Sequence, residues 1–100
     1  MKPVLIHRDA RAELDEAMAF YEASEPGLGL DLQDKVEGAI SKIRQNPETW
    51  PRHKSTEFRK YLLDRFPYTV FYLDQPAHIW IIAIAHARRK PNYWRVRVTR

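Results

Sequence analysis

A cluster of basic and aromatic side chains directly follows the last apolar segment of the chain. Its members are His86, Arg88, Arg89, Lys90, Tyr93 and Trp94. A histidine can transfer protons near neutral pH because its unperturbed pKa is about 6.5. Arginine and lysine pair with phosphates or carboxylates, and aromatic rings can stack on bases. The cluster therefore favours a nucleic acid or an acidic protein as partner. It leaves open whether the site cuts, binds or only keeps the protein soluble.

The charge of the chain is divided unequally between its two halves. Residues 1–50 contain six Lys/Arg and ten Asp/Glu, a net charge of −4, whereas residues 51–100 contain eleven and three, a net charge of +8. After Asp74 there is no further acidic residue. Such a split indicates two surfaces with different partners. The alternative is that the charges only balance solubility.

The length and composition predict one intracellular domain that spans residues 1–100. A chain of this size can bury a single core without disulfides, and it contains no cysteine. The apolar run Val4–Ile6 is too short for a signal peptide or a membrane span. We therefore expect a cytoplasmic protein without a membrane partner. His7, His53 and His78 lack ligand spacing with His86, so no metal site is expected. No cofactor is predicted either.

Two amphipathic helices are predicted between residues 9 and 45. Asp9 is expected to cap the first helix. The apolar face of that helix consists of Ala10, Leu14, Ala17, Met18 and Tyr21. The acidic residues fall mostly outside this face and predict an acidic exposed side: Glu13, Asp15, Glu16 and Glu22. Pro26-Gly27 separates the helices, and the second runs from Leu28 or Leu30 to Gln45, before Asn46-Pro47. Gly38 within it is expected to allow close contact between the helices.

Four strands complete the predicted fold. The segments are Val4–Ile6, Phe58–Leu63, Tyr68–Leu73, and a run from His78 or Ile79 to Ala85. The last run is apolar at both alternating sets of positions, so it is expected at the centre of the sheet. The order β-α-α-β-β-β predicts an α+β fold, with a helical hairpin on one face of a small, mainly antiparallel sheet.

Alternation predicts which side chains of these strands share a face. Trp80, Ile82 and Ile84 point one way together with His86, and Ile79, Ile81, Ala83 and Ala85 point the other way. The sequence leaves open which set faces the helices. Farther along, Arg95, Arg97 and Arg100 alternate with valines, which predicts either a short last strand with a cationic face or a tail that a partner orders.

The ordered motifs of the chain resemble the RelE/ParE superfamily of bacterial toxins, in its ParE-like, plasmid-stabilisation branch. The resemblance covers nearly the whole chain. It rests on the element order, Gly27-Leu28-Gly29, Asn46-Pro47, Phe66-Pro67-Tyr68, and Ala83-Ile84-Ala85-His86 followed by Arg89, Pro91 and Tyr93-Trp94. The resemblance implies the toxin of a type II toxin–antitoxin pair, silenced in an oligomeric complex by a small acidic antitoxin.

The resemblance also implies two alternative activities. ParE-like members act against DNA gyrase, which here implies inhibition by binding. RelE-like members are ribosome-dependent mRNA endonucleases, for which the matching residues are His86, Arg88, Arg59 and Tyr93. Tyr68 stands where the nucleases are expected to carry a strand-opening arginine. Since one preorganised contact to the reacting group is worth about 3–4 kcal/mol of barrier, this replacement favours the gyrase inhibitor over the enzyme.

Two sets of contact residues follow from this interpretation. The predicted target-binding residues are Arg59, His86, Arg88, Arg89, Tyr93 and Trp94. The residues predicted to bind the antitoxin are Leu14, Met18, Tyr21, Arg95 and Arg97. The sequence leaves a second role open for the aromatic pair, since Trp94 can also pack the tail onto the sheet.

Overall fold

The predicted order of elements is confirmed in a computed structural model that describes residues 1–98. The elements are β1 (Val4–Ile6), α1 (Arg8–Ser24), α2 (Leu28–Gln45), β2 (Arg59–Leu62), β3 (Tyr68–Asp74), β4 (Ile79–His86) and a 3-10 helix (Tyr93–Arg97). The prediction of a short last strand is wrong, because the segment that carries Arg95 and Arg97 forms this 3-10 helix. Arg100 lies outside the described residues. Within residues 1–98, no helix has both the length and the apolar character needed to cross a membrane.

The sheet has the order β1-β4-β3-β2. β1 runs parallel to β4, whereas β4, β3 and β2 are antiparallel to their neighbours. β4 lies between β1 and β3, and both of its faces are buried, as its apolar sequence predicted. The helices cover one face through Leu32, Val36 and Ile43, among others. The 3-10 helix covers part of the other face, so the fold is α+β as expected.

A β-bulge in β4 overturns the predicted alternation of its side chains. Phe71 of β3 pairs with Ala83 and the next residue, Tyr72, pairs with Ile81, so Ile82 has no partner on β3. The extra residue reverses the alternation that follows it. The helix-facing set is Ile79, Ile81 and Ile84. The opposite set is Trp80, Ile82, Ala83 and Ala85. Strict alternation could not show this because a bulge depends on pairing with a distant strand.

Side chains from neighbouring segments cap both helices at their N-termini. His7, not Asp9, is the N-cap of α1, since its Nδ1 accepts a hydrogen bond of 3.0 Å from the Asp9 amide. The amides that begin α2 are capped by Glu22 of α1. Its carboxylate accepts from Gly27 N at 2.8 Å and from Gly29 N at 3.0 Å. This link holds the turn of the helical hairpin, because free amides at a helix start favour a carboxylate.

The close contact between the helices occurs at Gly29 and not at Gly38. A Cβ added at Gly29 would lie 2.5 Å from the Met18 carbonyl oxygen, whereas one added at Gly38 would meet nothing within 4 Å. Gly38 lies on the exposed side of α2, so the predicted role for it is wrong. Gly29 lets the two helix backbones approach near the start of the hairpin, where a side chain would push them apart.

Candidate functional site

The predicted cations lie on an ordered loop, residues 87–92, at the end of β4. Three hydrogen bonds donated by backbone amides hold the first part of this loop. Ala87 N donates to Pro67 O at 2.9 Å, Arg88 N donates to His86 Nδ1 at 3.0 Å, and Arg89 N donates to His86 O at 3.0 Å. Arg88, Arg89 and Lys90 are exposed. The loop therefore presents three cations to solvent from a constrained backbone.

His86 shapes the loop through its own ring. Because Nδ1 accepts from the Arg88 amide, the neutral ring carries its proton on Nε2. The ring lies edge-on to Tyr68, with centroids 5.0 Å apart. It also lines a cleft of about 170 Å³ between α1 and the loop, beside Phe20, Arg89 and Tyr93. Nε2 of the ring could donate its proton in a reaction. The same geometry would equally let Nε2 donate a hydrogen bond to an oxygen of a binding partner.

Glu13 of α1 forms the centre of a polar cluster that sequence reasoning missed. Its Oε1 accepts from Ile84 N and from Arg97 Nη1, each at 2.9 Å. Its Oε2 accepts from Arg97 Nη2 at 2.9 Å and from the Tyr93 hydroxyl. The Glu13 and Arg97 side chains are only 12% and 10% exposed. The expectation that Glu13 belongs to an exposed acidic side is therefore wrong. Its spacing from Ala10 and Ala17 places it on the inner face and could have indicated this.

The Glu13 cluster satisfies backbone groups at an edge that β1 leaves without a partner. β1 pairs with β4 only along Ile79–Ile81. Beyond that point the Ile84 amide donates to Glu13, and Ile82 O accepts from Arg97 Nη1 at 2.9 Å. Because unpaired buried backbone groups are costly, these side chains take the place of additional strand residues. The Glu13–Arg97 pair thus binds the backbone of β4 at the bulge, through Ile82 O and Ile84 N.

Tyr93 and Arg97 are held inside this cluster and do not project as a free surface. The guanidinium of Arg89 lies 4.0 Å from the centre of the Tyr93 ring, and that of Arg97 lies 5.2 Å from it. Burial alone would lower the pKa of Arg97, but its hydrogen bond and attraction to Glu13 raise that pKa above its usual value. Arg97 therefore keeps its charge and is already paired. Its guanidinium is thus engaged within the protein, and the antitoxin contact predicted for it stays a prediction.

Trp94 is a core residue in this structure. It is 1% exposed and stacks on Phe71, with centroids 4.3 Å apart and an angle of 27° between the rings. The Phe58 ring meets it edge-on at 4.8 Å. Of the two roles considered for Trp94, the structure shows packing. A buried ring offers no surface to a target, so the predicted contact set loses this member.

Arg59 is separated from the other residues predicted for the nuclease alternative. Its Nη1 donates to Trp50 O at 2.7 Å and to Glu48 O at 3.3 Å, which fixes the segment before β2. Arg59 pairs with Tyr72 of β3, whereas His86 pairs with Tyr68, four residues along that strand. At about 3.3 Å per residue this offset is roughly 13 Å. The structure therefore brings His86, Arg88 and Tyr93 together at the end of β4, whereas Arg59 lies at the start of β2, away from them.

The residues predicted to bind the antitoxin are mostly covered. Leu14 is 4% exposed and belongs to the core. Met18 and Tyr21 are half-buried, and Tyr21 meets the Phe66 ring at 5.1 Å. Arg95 is exposed. The large apolar side chains that remain open on the hairpin are Phe20 and Leu30, at 68% and 58% exposure. They were missed because an apolar residue outside the stripe has no periodic signal.

Two partly buried tyrosines, Tyr93 and Tyr72, predict a loss of stability at alkaline pH. Burial raises the pKa of Tyr93 above its ordinary value of 10.0, and the Glu13 carboxylate raises it further. Burial also raises the pKa of Tyr72, whose hydroxyl donates to Pro47 O at 2.7 Å. The folded protein keeps these protons where the unfolded chain releases them, above about pH 10. Stability is therefore full below that pH and falls above it, by at most about 1.4 kcal/mol per pH unit for each tyrosine.

Urea unfolding between pH 8 and pH 11.5 measures this effect. We expect the free energy of unfolding to fall above pH 10 and to fall less steeply in Tyr93→Phe and Tyr72→Phe. Since phenylalanine has no proton to lose, an unchanged slope in both variants would contradict the assignment.

Comparison with known proteins agrees with the geometry. The profile of the family described as "ParE toxin of type II toxin-antitoxin system, parDE" matches residues 4–91. Among solved structures, the chain is similar to the "Chromosomal ParDE TA system from P. aeruginosa", with a TM-score of 0.78 and 20% identity. That match covers 88% of this chain and 98% of the other, and at this identity it shows a shared fold. No curated protein gives a significant sequence match. With most of its length matched by the family profile, the chain belongs to the ParE toxin family of type II toxin–antitoxin systems.

Proposed function

We propose that the protein inhibits DNA gyrase by binding to it through the exposed cations of the loop 87–92. In this proposal it acts in the bacterial cytoplasm, and a small acidic antitoxin neutralises it in an oligomeric complex. The observation that carries the proposal is the loop itself, which holds Arg88, Arg89 and Lys90 in solvent on a backbone anchored by His86. A rigid cationic loop suits acidic groups on a large partner, since little freedom is lost on binding.

The arrangement of the side chains supports binding more than cleavage. RNA cleavage would need a base, an acid and cations around a single phosphate. Arg59 is bound to the carbonyls of Glu48 and Trp50, and the Tyr93 hydroxyl is bound to Glu13. Tyr68, not an arginine, lies against His86. Of the groups that a ribosome-dependent nuclease would use, Arg59 is thus remote and the Tyr93 hydroxyl is already engaged, which leaves His86 and Arg88 together without the other two.

An apolar groove on the helical hairpin supports the antitoxin part of the proposal. Met18 and Ala19 of α1 face Leu30 of α2 across this groove, and Leu30 is exposed there. Such a surface suits the apolar face of a partner helix. The similar P. aeruginosa structure is titled as a ParDE toxin–antitoxin system, which agrees with such a partner. Acidic residues of the antitoxin would complement the basic second half of the chain.

Charge reversal in the loop tests whether the loop cations bind the target. We expect the purified protein to inhibit supercoiling by gyrase, and its expression without antitoxin to cause filamentous, DNA-damage-induced cells. Arg88→Glu with Arg89→Glu should weaken inhibition by at least about tenfold, since each loses a charged contact of roughly 1.5–3 kcal/mol. Lys35→Glu on the exposed side of α2 is the matched control and should retain inhibition.

A second arm of the same experiment tests the hairpin groove. Leu30→Asp should remain toxic but escape neutralisation by the antitoxin, because Leu30 is exposed in the apolar groove and the substitution charges this groove while leaving the loop intact. Rapid loss of translation with cut messages, instead of a block in replication, would refute gyrase as the target. Messages cut in translating extracts by the wild type but not by His86→Ala with Arg88→Ala would support the nuclease instead.

A further inference from the structure

We infer that Glu13 is a positioning residue that orients Arg89 of the target-binding loop through the ring of Tyr93. This inference rests on the proposed function of that loop. Glu13 lies on α1, 80 residues away from Tyr93 along the chain. It touches neither the loop cations nor solvent to any large extent, and no motif of the sequence marks it.

The connection consists of two consecutive contacts. The Glu13 carboxylate accepts a hydrogen bond from the Tyr93 hydroxyl, which fixes the position and tilt of the phenol ring. The guanidinium of Arg89 lies over the face of that ring, 4.0 Å from its centre. On the same carboxylate, Arg97 binds in a bidentate manner and thereby holds the Glu13 side chain itself.

This geometry orients Arg89 without using its hydrogen-bond donors. Within residues 1–98, Arg89 forms no ion pair, although Glu13 and Glu16 line the same cleft. Glu13 is already bound by Arg97 and Tyr93, so it does not compete for the Arg89 charge. A cation over an aromatic face keeps its N–H groups at the rim free. The stacked Arg89 is therefore both preorganised and free to meet a carboxylate or phosphate of the target, which lowers the entropy lost on binding.

The contact with Tyr93 matters because it restricts the side chain of Arg89, which otherwise has many rotamers. A free Arg89 on an exposed loop would lose much of its side-chain entropy when it binds. The loop backbone alone does not restrain it, since the contacts on either side, from Arg89 N to His86 O and from Tyr93 N to Lys90 O, hold main-chain atoms and leave the side-chain torsions of Arg89 free. Tyr93 is thus the group that limits the Arg89 side chain, and Glu13 is the group that holds Tyr93.

A double-mutant cycle distinguishes positioning from a general effect on folding. Toxicity is measured as growth arrest at graded induction, which does not depend on the identity of the target. Glu13→Gln should weaken toxicity by roughly five- to tenfold, as expected when one side chain with many rotamers is no longer preorganised. In an Arg89→Ala background, Glu13→Gln should change toxicity by less than about twofold, since coupled residues are not additive. Antitoxin affinity at the hairpin should stay unchanged.

Two further measurements distinguish the positioning role from a loss of folding, and the second of them does not depend on toxicity. Tyr93→Phe removes only the hydroxyl, and it should reproduce the Arg89-dependent loss seen in Glu13→Gln. By NMR, the side-chain protons of Arg89 should be shifted upfield by the Tyr93 ring in the wild type, and this shift should fall by at least half in Glu13→Gln.

The outcomes separate the inference from the proposed function. Additive effects of Glu13→Gln and Arg89→Ala, or an unchanged Arg89 signal in Glu13→Gln, would overturn the positioning role. A wild type that arrests growth without inhibiting gyrase would refute the gyrase proposal but leave the cycle interpretable. If the wild type arrests no growth, the binding function of the loop fails, and the positioning role for it fails with it.

Discussion

Trp94→Ala is expected to lower the free energy of unfolding by about 3–5 kcal/mol, the range for truncation of a large buried aromatic side chain. Trp94 is 1% exposed and fills the space between Phe58 and Phe71 on the face of the sheet away from the helices. It is also the buried residue of the 3-10 helix. Its removal would leave a cavity and loosen the segment that carries Tyr93 and Arg97.

Circular dichroism with urea as denaturant measures this loss. Trp94→Phe is the control, because it keeps an aromatic ring against Phe71 and should cost less than half as much. If Trp94→Ala were as stable as the wild type but failed to bind the target, Trp94 would be a contact residue after all, and the packing interpretation would be wrong.

Gly29→Ala is expected to lower the free energy of unfolding by about 2–3 kcal/mol, in the upper range for overpacking. The new Cβ would lie 2.5 Å from the Met18 carbonyl oxygen and 3.0 Å from Glu22 Oε1. Since a backbone atom of α1 blocks the space, the helices must move apart and the hydrogen bond from Gly29 N to Glu22 must stretch. The higher helix propensity of alanine offsets only about 1 kcal/mol of this cost.

Gly38→Ala provides a control in the same helix with the same chemical change. Nothing lies within 4 Å of a Cβ at Gly38, so this variant should be more stable, by up to about 1 kcal/mol. Thermal unfolding should therefore shift in opposite directions, by roughly 10–20 °C downward for Gly29→Ala and a few degrees upward for Gly38→Ala. Equal shifts for the two variants would contradict the close approach at Gly29.

The helices and strands could be predicted from the sequence because their signals are local. The apolar stripe from Leu32 to Ile43 and the Asn46-Pro47 stop placed α2 within the bounds that the structure shows. The apolar run from Ile79 indicated a central strand with two covered faces, as observed for β4. Each of these signals depends on residues a few positions apart, where backbone geometry sets the period.

The candidate site was only partly predictable, because it depends on contacts between residues that lie far apart in the sequence. The residue types at its edge were recognised, and His86, Arg88, Arg89 and Tyr93 do lie together there. Arg59 was assigned to the same surface by the family resemblance, and Trp94 by its residue type and its place after the cations. Their positions depend on strand register and on the packing of the last segment, and neither leaves a periodic pattern in the sequence.

By itself, the sequence determined the α+β class, the order of the elements through β4, and a cationic loop after the last strand. Only the tertiary structure decided which of these side chains are free. The bulge at Ile82 reverses the alternation of the side chains that follow it in β4 and thereby places Ile84 against the helices. Glu13 meets Arg97 across 84 residues of chain. The sequence shows only that a residue is charged. Whether that charge is paired within the fold or exposed to a partner depends on contacts between distant segments.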